Sequence, residues 1–203
     1  ETPLMENLFA LAIAVAILVL IPGPNVALIV ANSLRYGLRM GALTVLGTTA
    51  GVGLQLLLVV IGLAALVEYA ADALAWVRWA GVAYLVVLGI RTWNEPADSL
   101  DHVRAAPAVF WRGCLLAAVN PKTLLFNAAF LPQFIVADTV SAAQLAIVAV
   151  VFLAVLLVGD LLWAVFASSA RRLLSRYGEA RNRLTGGFLV AAGIGLALSR
   201  RQL

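Results

Sequence analysis

Apolar residues fill long stretches of this chain, and polar residues are concentrated in short segments between them. Three long runs contain no charged residue, namely 7–34, 40–67 and 139–159. Because a helix needs about 20 mostly apolar residues to cross a bilayer, the pattern predicts an all-α integral membrane protein with six transmembrane helices. The predicted spans are 7–34, 42–67, 73–93, 110–136, 140–170 and 183–200.

Prolines interrupt the first and fourth predicted spans. The first contains Pro-Gly-Pro at residues 22–24, and the fourth contains Asn-Pro-Lys at residues 120–122. Pro24 and Pro121 suit the first position of a new helix, which places Gly23 and Asn120 at the N-cap. We therefore expect helices one and four to be broken at PGP and NPK. Each restart would point unpaired N–H groups and a partial positive charge into the interior.

The two interruptions fall at corresponding places in the two halves of the chain, 97 residues apart. Paired broken helices in oppositely oriented repeats are typical of secondary transporters, so we predict two inverted three-helix repeats. The predicted division of the chain is an N-terminal tail at 1–6, a first repeat at 7–93, a polar connector at 94–109 and a second repeat at 110–203. Met5 stands just before the first apolar run, which favours a native start there, with residues 1–4 a cloning remnant.

Composition supports a membrane protein, since 64% of the 203 residues are hydrophobic and only 12% are charged, against about half and a quarter in soluble domains.

The net charge of +4 reflects arginines in short loops, which indicates topology control and not nucleic-acid binding. The loops after spans one, three and five carry Arg35, Arg39, Arg91, Arg104, Arg112, Arg171, Arg172, Arg176, Arg181 and Arg183. Both termini are therefore predicted on the outer side. A single cysteine and a single histidine exclude an internal disulfide and leave little for a soft-metal site, so no cofactor is expected.

Apart from arginines near the ends of the predicted spans (Arg78, Arg91, Arg112, Arg183 and Arg200), two charged residues lie within them. Lys122 falls in the first turn of its restarted helix, and Asp160 falls near the middle of span five. An intramembrane carboxylate is costly and indicates a functional site, so we predict that Asp160 couples transport to protons. The predicted substrate-binding residues are Gly23, Pro24, Asn25, Asn120, Pro121, Lys122 and Asn127. Two alternatives remain open: the breaks are packing features, and Lys122 forms a structural ion pair with Asp160.

Five segments together resemble the LysE/RhtB family of bacterial amino-acid exporters, over most of the chain from Leu8 to about Leu198. They are PGPNVALIVANSLRYGLRMGALTVLGTTAGVG, GLAALV, WAGVAYLVVLGIRTW, RGCLLAAVNPKTLLFNAAFLPQF and GDLLWAVFA. The resemblance implies an inner-membrane exporter of an amino acid or derivative, driven by the proton motive force. Many members have aspartate after PGP, where this chain has Asn25. That difference leaves proton carriage to Asp160, disfavours a dibasic substrate such as lysine, and favours a neutral amino acid or a homoserine-like compound.

Other classes of function fit the residues less well. An exporter of a hard metal ion or another small solute is the main alternative, because Asp160 and backbone carbonyls could ligate such an ion. A membrane enzyme or redox conduit would need a cysteine pair or a Ser–His arrangement, so we do not expect an enzyme. The expected partners are the amino-acid substrate, protons and lipid. A homodimer is also expected, because six short spans bury little surface.

Overall fold

A computed structural model describes residues 2–60, 79, 82–83, 86–91, 93–94, 106–129, 131–134, 141–174 and 178–198. Helices account for the regular structure of these residues, which contain no β-strand. The helices are α1 (Thr2–Leu20), α2 (Pro24–Tyr36), α3 (Leu38–Val60), α4 (Ala106–Ala118), α5 (Pro121–Ala129), α6 (Ala142–Leu174) and α7 (Gly178–Leu198). A 3₁₀ turn at Leu131–Phe134 follows α5, and residues 86–91 are also helical.

Both predicted breaks are present in the structure. Helices α1 and α2 form one apolar pair that bends by 59°, and α2 begins at Pro24. The second break separates α4 from α5, which begins at Pro121. Each proline thus takes the first position of a helix, where its missing N–H would have had no partner in any case.

Two predicted boundaries differ from the structure. Helix α1 begins at Thr2, within the predicted tail at 1–6, because Pro3 falls in the first turn where a proline is tolerated. Helix α4 begins at Ala106, within the predicted connector at 94–109, and Pro107 again occupies its first turn. Most of that connector and most of the predicted span at 73–93 lie outside the described residues.

Several helices have the length and composition of membrane spans. Among the described residues, Leu38–Leu58 and Ala142–Arg171 are each long and apolar enough to cross a bilayer, and the bent α1–α2 pair gives a third candidate. Large apolar side chains are exposed along one face of α1, namely Met5, Phe9, Ile13, Ile17 and Leu20. An outward apolar face of this kind suits contact with lipid tails and not with water.

Helix α2 lies at the centre of the bundle and contacts α3, α4, α6 and α7. Ten of its thirteen residues are buried, so it has no solvent-facing side along most of its length. Small and β-branched side chains allow this packing: Ala27 and Ala31 lie in a cluster with Leu189 of α7, and Ile29 lies in another with Val45 of α3. Anything that moves α2 must therefore repack several neighbours at once.

Glycines bring α3 and α4 into backbone contact. A methyl group built on Gly51 would meet the carbonyl oxygen of Cys114 and lie 2.8 Å from Cβ of Ala117. On the facing helix, one built on Gly113 would lie 2.9 Å from the carbonyl oxygen of Thr44. This close approach, which small residues permit between membrane helices, fixes the end of α4 beside α3 and thereby fixes the second break.

We predict that Gly51→Ala lowers the stability of the detergent-solubilised protein by about 1–3 kcal/mol, because the added methyl group has no space against α4. Gly53→Ala is the matched control, since the nearest atom to a methyl group there is Cδ1 of Leu153 at 3.7 Å. The control should be neutral or gain up to about 1 kcal/mol of helix propensity. Thermal unfolding measures both, and equal midpoints would contradict the packing described.

Candidate functional site

The first break leaves backbone carbonyls of α1 without helical partners. Pro22 has no N–H, so the carbonyl of Leu18, four residues earlier, loses its normal donor. Gly23 has extended backbone torsions (φ −142°, ψ −169°) and supplies no side-chain cap to α2. The carbonyl end of α1 and the amide end of α2 consequently face the same interior region.

Side chains from elsewhere in the fold satisfy the carbonyls of α1. The ammonium Nζ of Lys122 donates to the carbonyl oxygen of Leu18 at 2.5 Å and also to that of Ile21. Trp163 of α6 donates its indole N–H to the carbonyl oxygen of Val19 at 3.1 Å. A cation at this point also complements the negative end of the helix dipole. Lys122, which belongs to the second break, thus holds the first break in place.

The second break is satisfied in a related way. Pro121 cannot donate to Ala117, whose carbonyl oxygen instead accepts the backbone N–H of Asn120 at 3.0 Å. The side-chain amide of Gln55 on α3 also donates to the carbonyl oxygens of Ala117, at 2.6 Å, and Ala118, at 3.2 Å. Asn120 caps the new helix, since its Oδ1 accepts the backbone N–H of Lys122 at 3.0 Å. The capping predicted for Asn120 is confirmed.

A direct hydrogen bond joins the two breaks. The Asn120 side-chain amide donates to Oδ1 of Asn25 at 2.9 Å, and both side chains are buried. Asn120 therefore uses its oxygen to cap its own helix and its nitrogen to hold the other break. Asn25, interpreted from the sequence as a ligand for substrate, spends part of its hydrogen-bonding capacity on this contact.

Asp160 lies beside the joined breaks. It is 1% exposed, and its Oδ2 has no hydrogen-bond partner among the described residues. No ion pair to Lys122 occurs among the described contacts, which place the lysine ammonium on the carbonyls of α1. The two side chains therefore make no close ion pair among the described contacts, although their charges attract each other across the cleft. A buried carboxylate oxygen without a donor is costly and would gain from a proton or an ammonium group.

A cleft of about 280 Å³ brings these groups together. Its lining includes five of the predicted site residues, namely Gly23, Asn25, Asn120, Lys122 and Asp160. Pro24 and Pro121 start the adjoining helices without lining the cleft. Asn127 lies further along α5, where it donates to Oε1 of Gln55 at 3.0 Å, away from the cleft lining.

The cleft presents opposite chemistry at its two sides. The first amide groups of α2, those of Asn25 and Val26, lack the capping oxygen that Asn120 gives to α5, and both residues line the cleft. Such a helix start is suited to an anionic group, and the unpartnered oxygen of Asp160 is suited to a cationic one. Within the described residues, no group of three or more His, Cys, Asp or Glu side chains could hold a metal ion. The arrangement fits a small zwitterion better than a metal.

Some participating residues were not predicted. Trp163 and Thr123, which also lines the cleft, carried no motif of their own. The unpaired carbonyl of Leu18 could have been found by counting four residues back from Pro22. The side chain that would satisfy it could not, because Lys122 is remote in sequence and reaches it only through the tertiary fold.

An apolar helical bundle with two broken helices around a buried polar cleft has the features of a membrane transport protein. The chain belongs to the LysE type translocator family, whose family model matches residues 16–200. This match confirms the resemblance drawn from the sequence, and with it the assignment to transporters and not enzymes.

Two of the curated relatives that the chain matches are named as efflux proteins. A homoserine/homoserine lactone efflux protein of Salmonella typhi is 28% identical over 201 residues, covering 95% of this chain and 96% of the relative. A cysteine/O-acetylserine efflux protein of Escherichia coli K12 is 28% identical over 176 residues, covering 85% of this chain and 88% of the relative. An uncharacterised membrane protein of Bacillus subtilis is 26% identical over its whole length, covering 96% of this chain. No solved structure matches the chain.

We predict that Lys122→Met lowers the apparent Tm by about 4–8 °C, because losing two charge-assisted hydrogen bonds to the carbonyls at the end of α1 costs about 2 kcal/mol. Methionine keeps the length and apolar stem of lysine but has no donor. Arg39→Met, which removes a positive charge from an exposed position on α3, serves as the control and should leave Tm within about 1 °C. Two variants with the same Tm would show that the lysine does not hold the end of α1.

Proposed function

We propose that the protein is a secondary transporter of the bacterial inner membrane that exports an amino acid or a derivative of one, in exchange for protons. The observation that carries the proposal is the cleft in which the Asn25–Asn120 hydrogen bond joins two broken helices beside the unpartnered carboxylate oxygen of Asp160. The names of the curated relatives support the class of solute. Both termini are placed on the outer side, and the arginine-rich loops in the cytoplasm.

The proposed architecture is six spans in two inverted three-helix repeats. In its favour, the described helices repeat one order: a broken helix (α1–α2, then α4–α5) followed by a long unbroken one (α3, then α6). Helix α7 and the predicted span at 73–93 would complete the two repeats. The contact between the two breaks is where such repeats place a substrate. We also expect a homodimer in the lipid bilayer, because each protomer buries little surface by itself.

The bound substrate would span the cleft between its two chemically opposite sides. Its carboxylate would accept hydrogen bonds from the amides of Asn25 and Val26 at the uncapped start of α2. Its ammonium group would lie toward Oδ2 of Asp160. Lys122 would hold the end of α1 and contribute positive potential near the carboxylate. Pro24 and Pro121 would fix the starts of their helices, and Asn127 would support the second break through Gln55.

Asp160 would couple the cycle by exchanging a substrate ammonium for a proton. One buried carboxylate cannot serve both cations at once, so release of substrate outside would favour protonation, and release of the proton inside would favour reloading. A membrane potential of 100 mV supplies about 2.3 kcal/mol per charge moved, which corresponds to about a fortyfold gradient of a neutral substrate. No metal ligand cluster competes for this role among the described residues.

The substrate class follows from the cleft and from the relatives. With Asn25 at the first break in place of an acid, Asp160 is the one carboxylate among the described residues that line the cleft, which suits one ammonium group and not two. We therefore propose a neutral amino acid such as homoserine, cysteine or O-acetylserine. These compounds appear in the names of the relatives.

We predict that Asp160→Asn abolishes coupling and weakens substrate binding. In proteoliposomes tested with labelled homoserine, cysteine and O-acetylserine, the variant should lose accumulation driven by a proton gradient, and the counterflow that remains should show a raised KM because asparagine carries no charge to pair with the substrate ammonium. Asparagine resembles the protonated acid in shape and cannot titrate. Glu6→Gln removes a carboxylate from an exposed position on α1 and should transport as the wild type does. Proton-driven accumulation by Asp160→Asn at the wild-type level would remove the coupling role.

A further inference from the structure

A second cavity lies at the other end of α2. Residues of α2, α4 and α7 surround it, together with Leu88 of the helical segment 86–91. Its polar lining consists of Asn32, Arg35, Tyr36, Arg112 and Thr185, and we call this set the vestibule. None of these residues belongs to the cleft at the breaks, so the proposed transport site does not account for the vestibule.

The buried hydroxyl of Thr185 indicates that the cavity binds a ligand. It is 2% exposed, and its hydroxyl Oγ1 has no hydrogen-bond partner among the described residues. Burying a hydroxyl without a partner is unfavourable, and valine would fill the same volume without that cost. A hydroxyl at this position is explained if a ligand with an acceptor oxygen occupies the cavity for part of the cycle.

The charge of the vestibule specifies an anionic ligand. Arg35 and Arg112 contribute two guanidinium groups, and no Asp or Glu is among the described residues that line the cavity. A guanidinium binds a carboxylate through paired N–H groups. Arg112 is exposed, so its side chain can reach a ligand that arrives from the surface.

Helix α2 connects the vestibule to the cleft. Asn25, Leu28, Asn32 and Tyr36 follow one another at spacings of three or four residues and so share one face of the helix. Asn25 lines the cleft, and the other three line the vestibule. At 1.5 Å per residue, Asn25 and Asn32 are about 10 Å apart along the axis. The two cavities thus lie in sequence along one side of the central helix.

We propose that the vestibule is a cytoplasmic site that binds the carboxylate of the amino-acid substrate before the substrate reaches the cleft. This inference rests on the proposed function and adds a second binding site to it. Arg35 and Arg112 attract the carboxylate and raise its local concentration, and the Thr185 hydroxyl donates to one of its oxygens. The arginine-rich loops place this end of α2 on the cytoplasmic side.

The test uses the full-length protein in sealed vesicles with the arginine-rich face outward and the same three labelled substrates. For Arg112→Gln we expect KM to rise about tenfold with kcat unchanged, as the loss of one charge-assisted hydrogen bond to the substrate implies. Arg39→Gln is the control, because Arg39 belongs to the same predicted cytoplasmic side but does not line the vestibule. Its KM should equal that of the wild type, and an Arg112→Gln KM equal to the control would overturn the inference.

Thr185→Val provides a second, independent measurement. Removal of an unpartnered buried hydroxyl should keep or raise Tm, while KM rises about threefold because the substrate loses a donor. A merely structural role would move Tm and KM together. Unaltered KM, or a fall in Tm that accompanies the rise in KM, would contradict the assignment of the hydroxyl to the substrate.

Lipid phosphate is the other anion that could reach these arginines, so the comparison is repeated in neutral phosphatidylcholine vesicles and in vesicles with phosphatidylglycerol. We expect the same ratio of KM between wild type and Arg112→Gln in both. If Arg112→Gln changed KM only in the vesicles with phosphatidylglycerol, the substrate assignment would be overturned. If the wild type transports the substrates and Arg112→Gln has the wild-type KM, only this inference is refuted. If the wild type transports none of the three substrates, the proposed function is refuted as well.

Discussion

Each proline within an apolar span deprives a backbone carbonyl of its helical donor, and that carbonyl must find another partner inside the protein. Here the two breaks supply partners for each other. Lys122 of the second break donates to carbonyls of the first, and Asn120 donates to Asn25. Gln55 completes the second break from α3. The cleft exists because these polar groups have to meet away from lipid.

The same constraint links structure to the proposed cycle. If the repeats rock against each other, the groups that leave one partner must gain another, since an unpaired polar group in the bilayer interior costs several kcal/mol. A zwitterion between the start of α2 and Asp160 offers such partners, and so does a proton on Asp160. Central α2 carries the cleft at one end and the vestibule at the other, so movement of one helix would affect both cavities.

Sequence alone predicted the elements whose cause is local. Pro24 and Pro121 start helices because proline fits that position, Asn120 caps because its side chain reaches the following amides, and Asp160 is buried because it lies within a long apolar run. Hydrogen-bond partners that depend on tertiary packing were not predictable from the sequence. Lys122 lines the cleft with Asp160 as expected, but its hydrogen bonds to the carbonyls at the end of α1 were not predictable. Arg35 and Arg112 were read only as determinants of topology, and their shared cavity depends on how α2, α4 and α7 come together.

The central claim is that the Asn25–Asn120 hydrogen bond couples the two breaks, and a double-mutant cycle on the free energy of unfolding in detergent tests it most directly. Asn25→Ala, Asn120→Ala and the double variant should give a coupling energy of about 1 kcal/mol. A second cycle combines Asn32→Ala with Asn120→Ala. Because the Asn32 amide donates to Thr44, this cycle should be additive within about 0.3 kcal/mol. Additivity in the first cycle as well would contradict the account.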